Sequence, residues 1–285
     1  MSIKITADST CDLSPELLAR YDITLAPLAV IMDGKSYLDG IEITPQDIFA
    51  HVEKGGALCS TSAVNVDGYR ELFSRYAGEY DDVIHISLGS LFSACYQNAS
   101  IAAAHFPNVH VVNSMNLSTG QGHLAIEAAQ LAREGVAAME ICSRLNAMRN
   151  RVQASFILDR LDYMQKGGRC SSVVALGGKL LKIKPCIEVR SGAMEPSKKY
   201  RGGINSVIRA YVKDRLCDRT DIEQRRIFIT HTRCDSDVVD AVRELIQSYC
   251  PDMEEIIETT AGATITTHCG SETLGVLFIR KEAQP

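Results

Sequence analysis

Residues 3–12 of the chain read Ile-Lys-Ile-Thr-Ala-Asp-Ser-Thr-Cys-Asp. The largely apolar Ile3–Ala7 predicts a short strand, and Asp8–Asp12 predicts a polar loop directly after it. Ser14-Pro15 then predicts the start of a helix, because proline is tolerated in the first helical turn. A strand, a polar turn and a helix in this order are typical of the first unit of an α/β domain.

The same alternation continues to about residue 150. Further strands are predicted at Ile23–Met32, Asp82–Ser87 and Val109–Val112. Further helices are predicted at Val66–Tyr80, Ser90–His105, Ser118–Glu134 and Ala137–Asn150. Strands that alternate with helices indicate a parallel, doubly wound sheet, so we predict a Rossmann-like α/β domain over residues 1–155.

The second half of the chain has a different pattern. It begins with two predicted helices, at Leu158–Lys166 and Ser172–Leu180. A hairpin is predicted next, with strands Leu181–Arg190 and Met194–Tyr200 joined across Ser191-Gly192. A hairpin combined with helices indicates an α+β domain, which we place at residues 156–285. Two lobes imply a cleft between them, and such clefts commonly hold a small-molecule site.

The composition excludes several classes of function. The chain has 285 residues, 46% of them hydrophobic, and a net charge of −5 without a dense Lys/Arg run, which disfavours nucleic-acid binding. The apolar stretch Leu25–Met32 is interrupted by Pro27, so no stable membrane insertion is expected. Ten scattered cysteines without a CxxC motif, and an N-terminus unlike a signal peptide, predict reduced thiols in a cytoplasmic protein.

Four polar loops stand at predicted strand ends or helix starts. They are Asp8–Asp12, Ser60–Ser62, Ser87–Ser93 and Asn113–Gly122. Ligands bind at the carboxyl edge of an open α/β sheet, where hydroxyl groups and helix N-termini suit a small anion. The alternative is that these Ser and Thr residues only cap helices. Four such loops at one presumed edge favour an anion site.

Two segments of the second half carry further candidates. Arg169 either binds an anion or complements the end of a helix, and His268 lies in the predicted turn Thr266–Gly270. Walker A, GxGxxG, GxSxG and HExxH motifs are missing and no metal-ligand pair has the right spacing, so no cofactor and no metal are expected. An acyl-transfer or hydrolytic enzyme that uses Ser93 or Ser114 with His268 stays open.

Taken in order, these loops resemble the DegV family of bacterial fatty-acid-binding proteins over nearly the whole chain. The segments that carry the resemblance are Asp8–Leu13, Thr61-Ser62, Ser93 with Tyr96-Gln97, Ser114-Met115, Thr119–Gly122, Lys166–Arg169, Lys184-Pro185, Arg201-Gly202, Thr267–Gly270 and Leu274–Val276. No single motif is specific to the family, but their order and spacing together are.

The resemblance implies a long-chain fatty acid buried between the two lobes. It assigns the carboxylate to Thr61 and Ser93, and it places the family's Arg and His near the head group at Arg169 and His268. The other residues expected in the ligand-binding set are Ser62, Ser114 and Gly120. The resemblance also implies a carrier, not an enzyme, that presents the carboxylate to a separate fatty acid kinase. That kinase makes an acyl phosphate for phospholipid synthesis.

An apolar lining for the acyl chain is expected from the second lobe. The candidates, each with ordinary core as the alternative, are Leu158, Leu161, Met164, Val173, Val174, Leu176, Leu180, Leu181, Ile183 and Ile187. The chain departs from the family pattern at Ala63–Asn65, Ser90–Tyr96 and Cys269–Glu272. Because these segments flank the expected head-group site, a binding module for another amphipathic anion is an alternative to a fatty-acid carrier.

Overall fold

Four parallel strands form the sheet of the N-terminal lobe. The computed structural model describes residues 2–170 and 183–282. The strands lie in the order β2 (Ile23–Ala26), β1 (Ile3–Asp8), β6 (Asp82–Ser87) and β7 (Val109–Asn113), each parallel to its neighbour. The predicted Rossmann-like parallel sheet is confirmed, with the opening strand of the chain in its interior.

The helices of this lobe largely follow the sequence pattern. They are α1 (Pro15–Tyr21), α2 (Pro45–Glu53), α3 (Val66–Ala77), α4 (Cys95–Ala103), α5 (Ser118–Arg133) and α6 (Ala138–Met148). Local chemistry sets several starts: the Ser14 side chain accepts a hydrogen bond from Leu17 N, and Thr44 and Asp47 form a capping box. The predicted start of α4 at Ser90 is wrong, because Ser90 N instead donates to the Asn113 side chain and the chain turns at Gly89–Phe92.

The predicted single strand Ile23–Met32 is wrong. It divides at Pro27, which has no N–H to donate, into β2 and a strand β3 (Ala29–Met32) of a separate sheet. In that sheet β3 pairs in antiparallel fashion with β4 (Lys35–Leu38) and with β5 (Ser60–Ser62). The segment predicted as a polar loop at residues 60–62 is therefore a short strand of this small sheet.

Six strands form the sheet of the C-terminal lobe. Their order is β10 (Ala193–Arg201), β9 (Ile183–Arg190), β8 (Val152–Ile157), β13 (Thr273–Arg280), β11 (Ile222–Thr232) and β12 (Glu255–Thr260). Only β11 and β12 are parallel; the other neighbours are antiparallel. Ser191 and Gly192 both have positive φ, as a two-residue hairpin turn requires, so the predicted hairpin and the α+β class are confirmed.

The helices of this lobe are α7 (Asp162–Gly167), α8 (Ile204–Leu216), α9 (Ser236–Tyr249) and α10 (Ala263–Cys269). The helix predicted at Leu158–Lys166 begins only at Asp162, and the predicted turn around His268 is wrong because that residue lies in the last turn of α10. The helix predicted at Ser172–Leu180 lies outside the described residues. Helices α8 and α9 pack on the outer face of the six-stranded sheet.

Helix α5 lies between the two sheets and is buried along most of its length. It contacts β1 and β6 on one side and β8, β11 and β13 on the other. One apolar core therefore joins the lobes. The boundary predicted at residue 155 falls inside β8, whose strand pairs with β13 and β9 in the second sheet. None of the described helices is both long and apolar enough to cross a bilayer.

Candidate functional site

An apolar pocket opens between the two lobes, and its empty space together with the open solvent at its mouth amounts to about 560 Å³. The first lobe lines it with Leu28, Ala63, Leu88, Phe92 and Leu117. The second lobe lines it with Phe156, Met164, Met194, Ile265 and Cys269. Its polar wall consists of Thr10, Thr61, Ser93, Arg169, Thr264 and His268. A pocket that is apolar except for a few polar groups suits an amphipathic ligand.

Thr61 and His268 meet in this pocket, although 207 residues separate them in sequence. Thr61 lies on β5, where it pairs with Val30, and His268 lies on α10. The Thr61 Oγ1 is 2.8 Å from His268 Nε2. Burial and, to a smaller degree, the positive charge of Arg169 together lower the pKa of His268 to about 4. The imidazole is therefore neutral at pH 7.

The second ring nitrogen of His268 is buried and has no hydrogen-bond partner among the described residues. The backbone of Gly167, at the end of α7, closes that side of the ring: a Cβ atom at Gly167 would lie 2.1 Å from His268 Nδ1. A neutral imidazole has one N–H donor and one acceptor nitrogen. The packing of Gly167 thus holds a neutral ring in contact with Thr61 at the pocket wall.

Arg169 connects the end of α7 to the loop that carries Ser93. Its Nη1 donates to Gly167 O at 2.7 Å and its Nε donates to Phe92 O at 3.4 Å. Both predicted roles of this arginine are thus compatible, because it bonds a carbonyl at a helix end and also lines the pocket. The Ser93 hydroxyl accepts a hydrogen bond from Cys95 N at 3.3 Å, which also orders the start of α4.

Thr264 is a pocket residue that the sequence reasoning missed. It is 3% exposed, and its hydroxyl has no hydrogen-bond partner among the described residues. Thr264 and His268 are four residues apart on α10, so they lie on the same face of the helix. The four-residue spacing of Thr264 and His268 is present in the sequence, but it indicates a shared face only if both residues lie in a helix, and residues 266–270 were interpreted as a turn.

Two buried carboxylates hold the start of α10, the helix that carries His268. Asp12 accepts hydrogen bonds from Gly262 N at 2.8 Å and from Ser118 Oγ at 2.6 Å. Asp39 accepts one from Ala263 N at 2.8 Å. Burial raises the pKa of Asp12 to about 8, and the charge of Asp39 contributes in the same direction. Asp12, in the polar loop after β1, therefore positions helix α10 and does not itself line the pocket.

Three of the predicted site residues do not join the pocket. Ser62 is exposed and its hydroxyl bonds to Ala63 O. Ser114 is buried and closes a turn by accepting from Asn116 N. Gly120 lies inside α5, where a Cβ atom would be 2.6 Å from Asn116 Oδ1. The structure brings together Thr61, Ser93, Arg169 and His268 from the predicted set.

The expected acyl-chain lining is only partly present in the pocket wall. Of its members within the described residues, Met164 lines the pocket, whereas Leu158, Leu161, Ile183 and Ile187 do not. The predicted residues outside the described ranges are Val173, Val174, Leu176, Leu180 and Leu181. A second apolar pocket adjoins the first, because Leu117, Phe156, Ile265 and Cys269 line both. Both lobes therefore contribute apolar surface to the combined space.

The arrangement does not assemble a Ser-His pair. His268 Nε2 bonds to Thr61, and no hydrogen bond joins His268 to Ser93 or Ser114 among the described residues. Catalytic triads also need a group that orients the histidine, and His268 Nδ1 has no such partner there.

No group of three or more His, Cys, Asp or Glu residues suited to a metal ion occurs in the described ranges.

Comparison with known proteins fits this geometry. A family model described as "Uncharacterised protein, DegV family" matches residues 2–281. The chain belongs to the DegV family. A relative from Thermotoga maritima, named a fatty acid-binding protein, is 31% identical over 283 residues and covers 96% of each chain. DegV chains of this kind match the protein from end to end.

Solved structures of DegV proteins have the same fold. A DegV family protein from Thermus thermophilus, described as fatty acid binding, superposes with a TM-score of 0.89 at 29% identity and covers 98% of this chain and 100% of its own. A stearic acid-binding protein from Eubacterium ventriosum superposes with a TM-score of 0.82 at 25% identity and covers 98% of each chain. Both of these solved proteins are thus described as binding a fatty acid, which is stearic acid in the second.

Proposed function

We propose that this protein binds a long-chain fatty acid between its lobes and presents the carboxylate to a separate fatty acid kinase. The observation that carries the proposal is the polar cluster of Thr61, Ser93, Arg169 and His268 in the wall of an otherwise apolar pocket. In this proposal the cluster binds the carboxylate and the apolar walls bind the acyl chain. The protein is then a carrier, and the phosphoryl transfer takes place on the kinase.

The polar cluster meets the needs of a carboxylate. A carboxylate removed from water is unstable unless several donors replace its hydration. The hydroxyls of Thr61, Ser93 and Thr264 and the guanidinium of Arg169 are such donors. When neutral His268 donates its Nε2–H to Thr61 Oγ1, the Thr61 hydroxyl is free to donate to the carboxylate, and no second full positive charge is added.

The apolar walls meet the needs of the acyl chain. Each methylene removed from water contributes about 0.8 kcal/mol, so a long chain gains on the order of 10 kcal/mol before ordering costs. The two adjoining pockets offer Leu117, Phe156 and Ile265 as shared walls. A ligand with a small anionic head and a long aliphatic tail uses both surfaces.

The bound ligand itself is the direct test. Protein purified without detergent is denatured, extracted and analysed by mass spectrometry, and a copurifying long-chain fatty acid is the expected result. Recovery of a different amphipathic anion would replace the fatty acid in the proposal. Absence of any acyl chain, together with no binding of added palmitate, would refute fatty-acid binding.

Thr61→Ala combined with Ser93→Ala is expected to weaken palmitate binding about tenfold without unfolding the protein, because two donors to a charged group are lost. Isothermal titration calorimetry measures the affinity, and thermal denaturation reports the fold. Ser62→Ala is the matched control, since Ser62 is exposed and does not line the pocket. Unchanged affinity in the double variant would place the head group elsewhere.

The kinase step has its own test. Arg201 is exposed at the end of β10, and Arg201→Gln is expected to slow ATP-dependent acyl-phosphate formation by a bacterial fatty acid kinase about threefold to tenfold, because rim charges steer association. Palmitate affinity should not change. Arg209→Gln, at another exposed cation, is the control.

Failure of the two parts can be told apart. If the wild-type protein binds palmitate but supports no acyl-phosphate formation, the kinase partnership is wrong and fatty-acid binding stands. Turnover of an ester substrate that Ser93→Ala abolishes would instead favour an enzyme. An equal rate for Arg201→Gln and the wild type would move kinase docking to another surface.

A further inference from the structure

A further cavity, separate from the two adjoining apolar pockets, has walls of the opposite character. Its empty space together with the open solvent at its mouth amounts to about 740 Å³. Four segments contribute to it: the loop Met115-Asn116 before α5, residues 149, 150, 152 and 153 around the start of β8, the hairpin residues 189–192, and Arg280 at the end of β13. It shares no lining residue with the apolar pocket.

The charges of this cavity are all positive. Arg149, Arg190 and Arg280 line it, and no carboxylate lines it among the described residues. This concentration of cations is unusual in a chain whose net charge is −5. The apolar residues of the wall are only Met115, Val152 and Val189, so the cavity offers little surface to an aliphatic chain.

Two of the arginines form no ion pair within the described residues. Arg149 donates to Asn113 O at 3.1 Å and Arg280 donates to Asn150 O at 3.3 Å, so each bonds only a backbone carbonyl. The Nε atoms of both are buried without a hydrogen-bond partner. Guanidinium groups held in this way retain donors and charge for an external anion.

The nearby carboxylates are already paired. Glu188 bonds Arg190 at 2.9 Å and also Arg215 at 2.9 Å, so it does not neutralise both cations. The pKa of Asp221 is lowered, first by its hydrogen bond with Arg219 and to a smaller degree by the charge of Arg280. Glu188 therefore balances part of the charge of Arg190, whereas Arg149 and Arg280 have no ion-pair partner within the described residues.

We propose that this cavity binds the phosphate group of a small molecule. The planar guanidinium fork matches the oxygens of a phosphate, and two unpaired arginines balance its double negative charge. The polar walls exclude a second site for a fatty acid, whose tail needs apolar surface. This site does not depend on the fatty-acid proposal, because it uses none of the residues of the apolar pocket.

The test uses inorganic phosphate and AMP as probes in isothermal titration calorimetry with the full-length protein. Saturable binding of inorganic phosphate is expected, weakened about tenfold by Arg149→Gln or by Arg280→Gln, since each removes a charge-assisted contact. Arg144→Gln is the matched control, because Arg144 lies on α6 and pairs with Glu140 at 2.8 Å, away from the cavity. Palmitate affinity should be the same in all variants.

The results decide the proposal in each case. Tighter binding of AMP than of inorganic phosphate assigns the site to a phosphate ester, whereas equal or weaker binding assigns it to free phosphate. No saturable binding of either probe, or equal binding by the wild type and both arginine variants, would overturn the site. If an arginine variant does not fold, Arg190→Gln replaces it and is expected to weaken phosphate binding in the same direction, because Arg190 also lines the cavity.

Discussion

Replacing Asp8 by alanine is expected to lower the free energy of unfolding by about 3–5 kcal/mol, because several buried donors then lose their shared acceptor. Asp8 is 0% exposed. Its carboxylate accepts hydrogen bonds from Tyr69 Oη at 2.5 Å, Ser87 Oγ at 2.9 Å, Leu88 N at 2.7 Å and His85 Nε2 at 3.2 Å. One side chain thus joins β1, β6 and α3.

Urea denaturation of three variants separates this role from a general loss of charge. Asp8→Asn keeps one oxygen acceptor, so a smaller loss of about 1–3 kcal/mol is expected. Asp240→Ala, at an exposed position without a hydrogen bond in the described residues, is expected to change the unfolding free energy by less than about 0.5 kcal/mol. A loss for Asp8→Ala no larger than that of the control would contradict the role of Asp8.

Asp8 also explains why the opening segment could be assigned to the fold but not to a role. The apolar Ile3–Ala7 correctly predicts β1, because burial on both faces requires an apolar strand. The polar residues after it were expected at the ligand rim. The structure uses Asp8 inside the sheet and Asp12 at the start of α10, and only Thr10 of this loop lines the pocket. Local sequence does not distinguish a polar group that binds a ligand from one that binds the protein.

The long periodic elements were predictable, and the short ones were not. Helix α5 and the parallel strands contain enough apolar residues to be predicted from the sequence. The assembly of β3, β4 and β5 into a separate small sheet was not predicted, because its strands have three or four residues and depend on pairing with each other. The seven residues of α10 are rich in threonine, a weak helix former, and tertiary contacts at its start hold the helix.

In the candidate site, several residues could be predicted from the sequence, but the way they come together could not. Thr61, Ser93, Arg169 and His268 were expected from the family resemblance, and the structure places all four around one pocket. Thr264 could be assigned to the site only once the extent of helix α10 was known. The apolar wall of the pocket could not be predicted, because it forms only when the two lobes pack together. Leu28 and Phe92 of the first lobe and Met164 of the second lobe line the same space. No periodicity within one segment encodes such a contact.

Gly167→Ala is expected to weaken palmitate binding about tenfold to a hundredfold and to lower the unfolding free energy by about 1–3 kcal/mol, as overpacking does. A Cβ atom at Gly167 would lie 2.1 Å from His268 Nδ1 and 3.1 Å from Cε1. The φ of Gly167 is not positive, so the backbone accepts alanine and the collision with the ring decides the outcome. The ring must move, which breaks its 2.8 Å contact with Thr61.

A double-mutant cycle identifies the ring as the cause. His268→Ala removes the colliding atoms, so Gly167→Ala added to that variant is expected to change palmitate affinity and stability little further. Gly78→Ala is the matched control, because its φ is −89° and nothing lies within 4 Å of the added Cβ. Calorimetric titration and thermal denaturation measure both effects. If Gly167→Ala weakens binding equally with and without His268, the glycine acts through another contact; if the single variant binds palmitate normally, His268 does not hold the carboxylate.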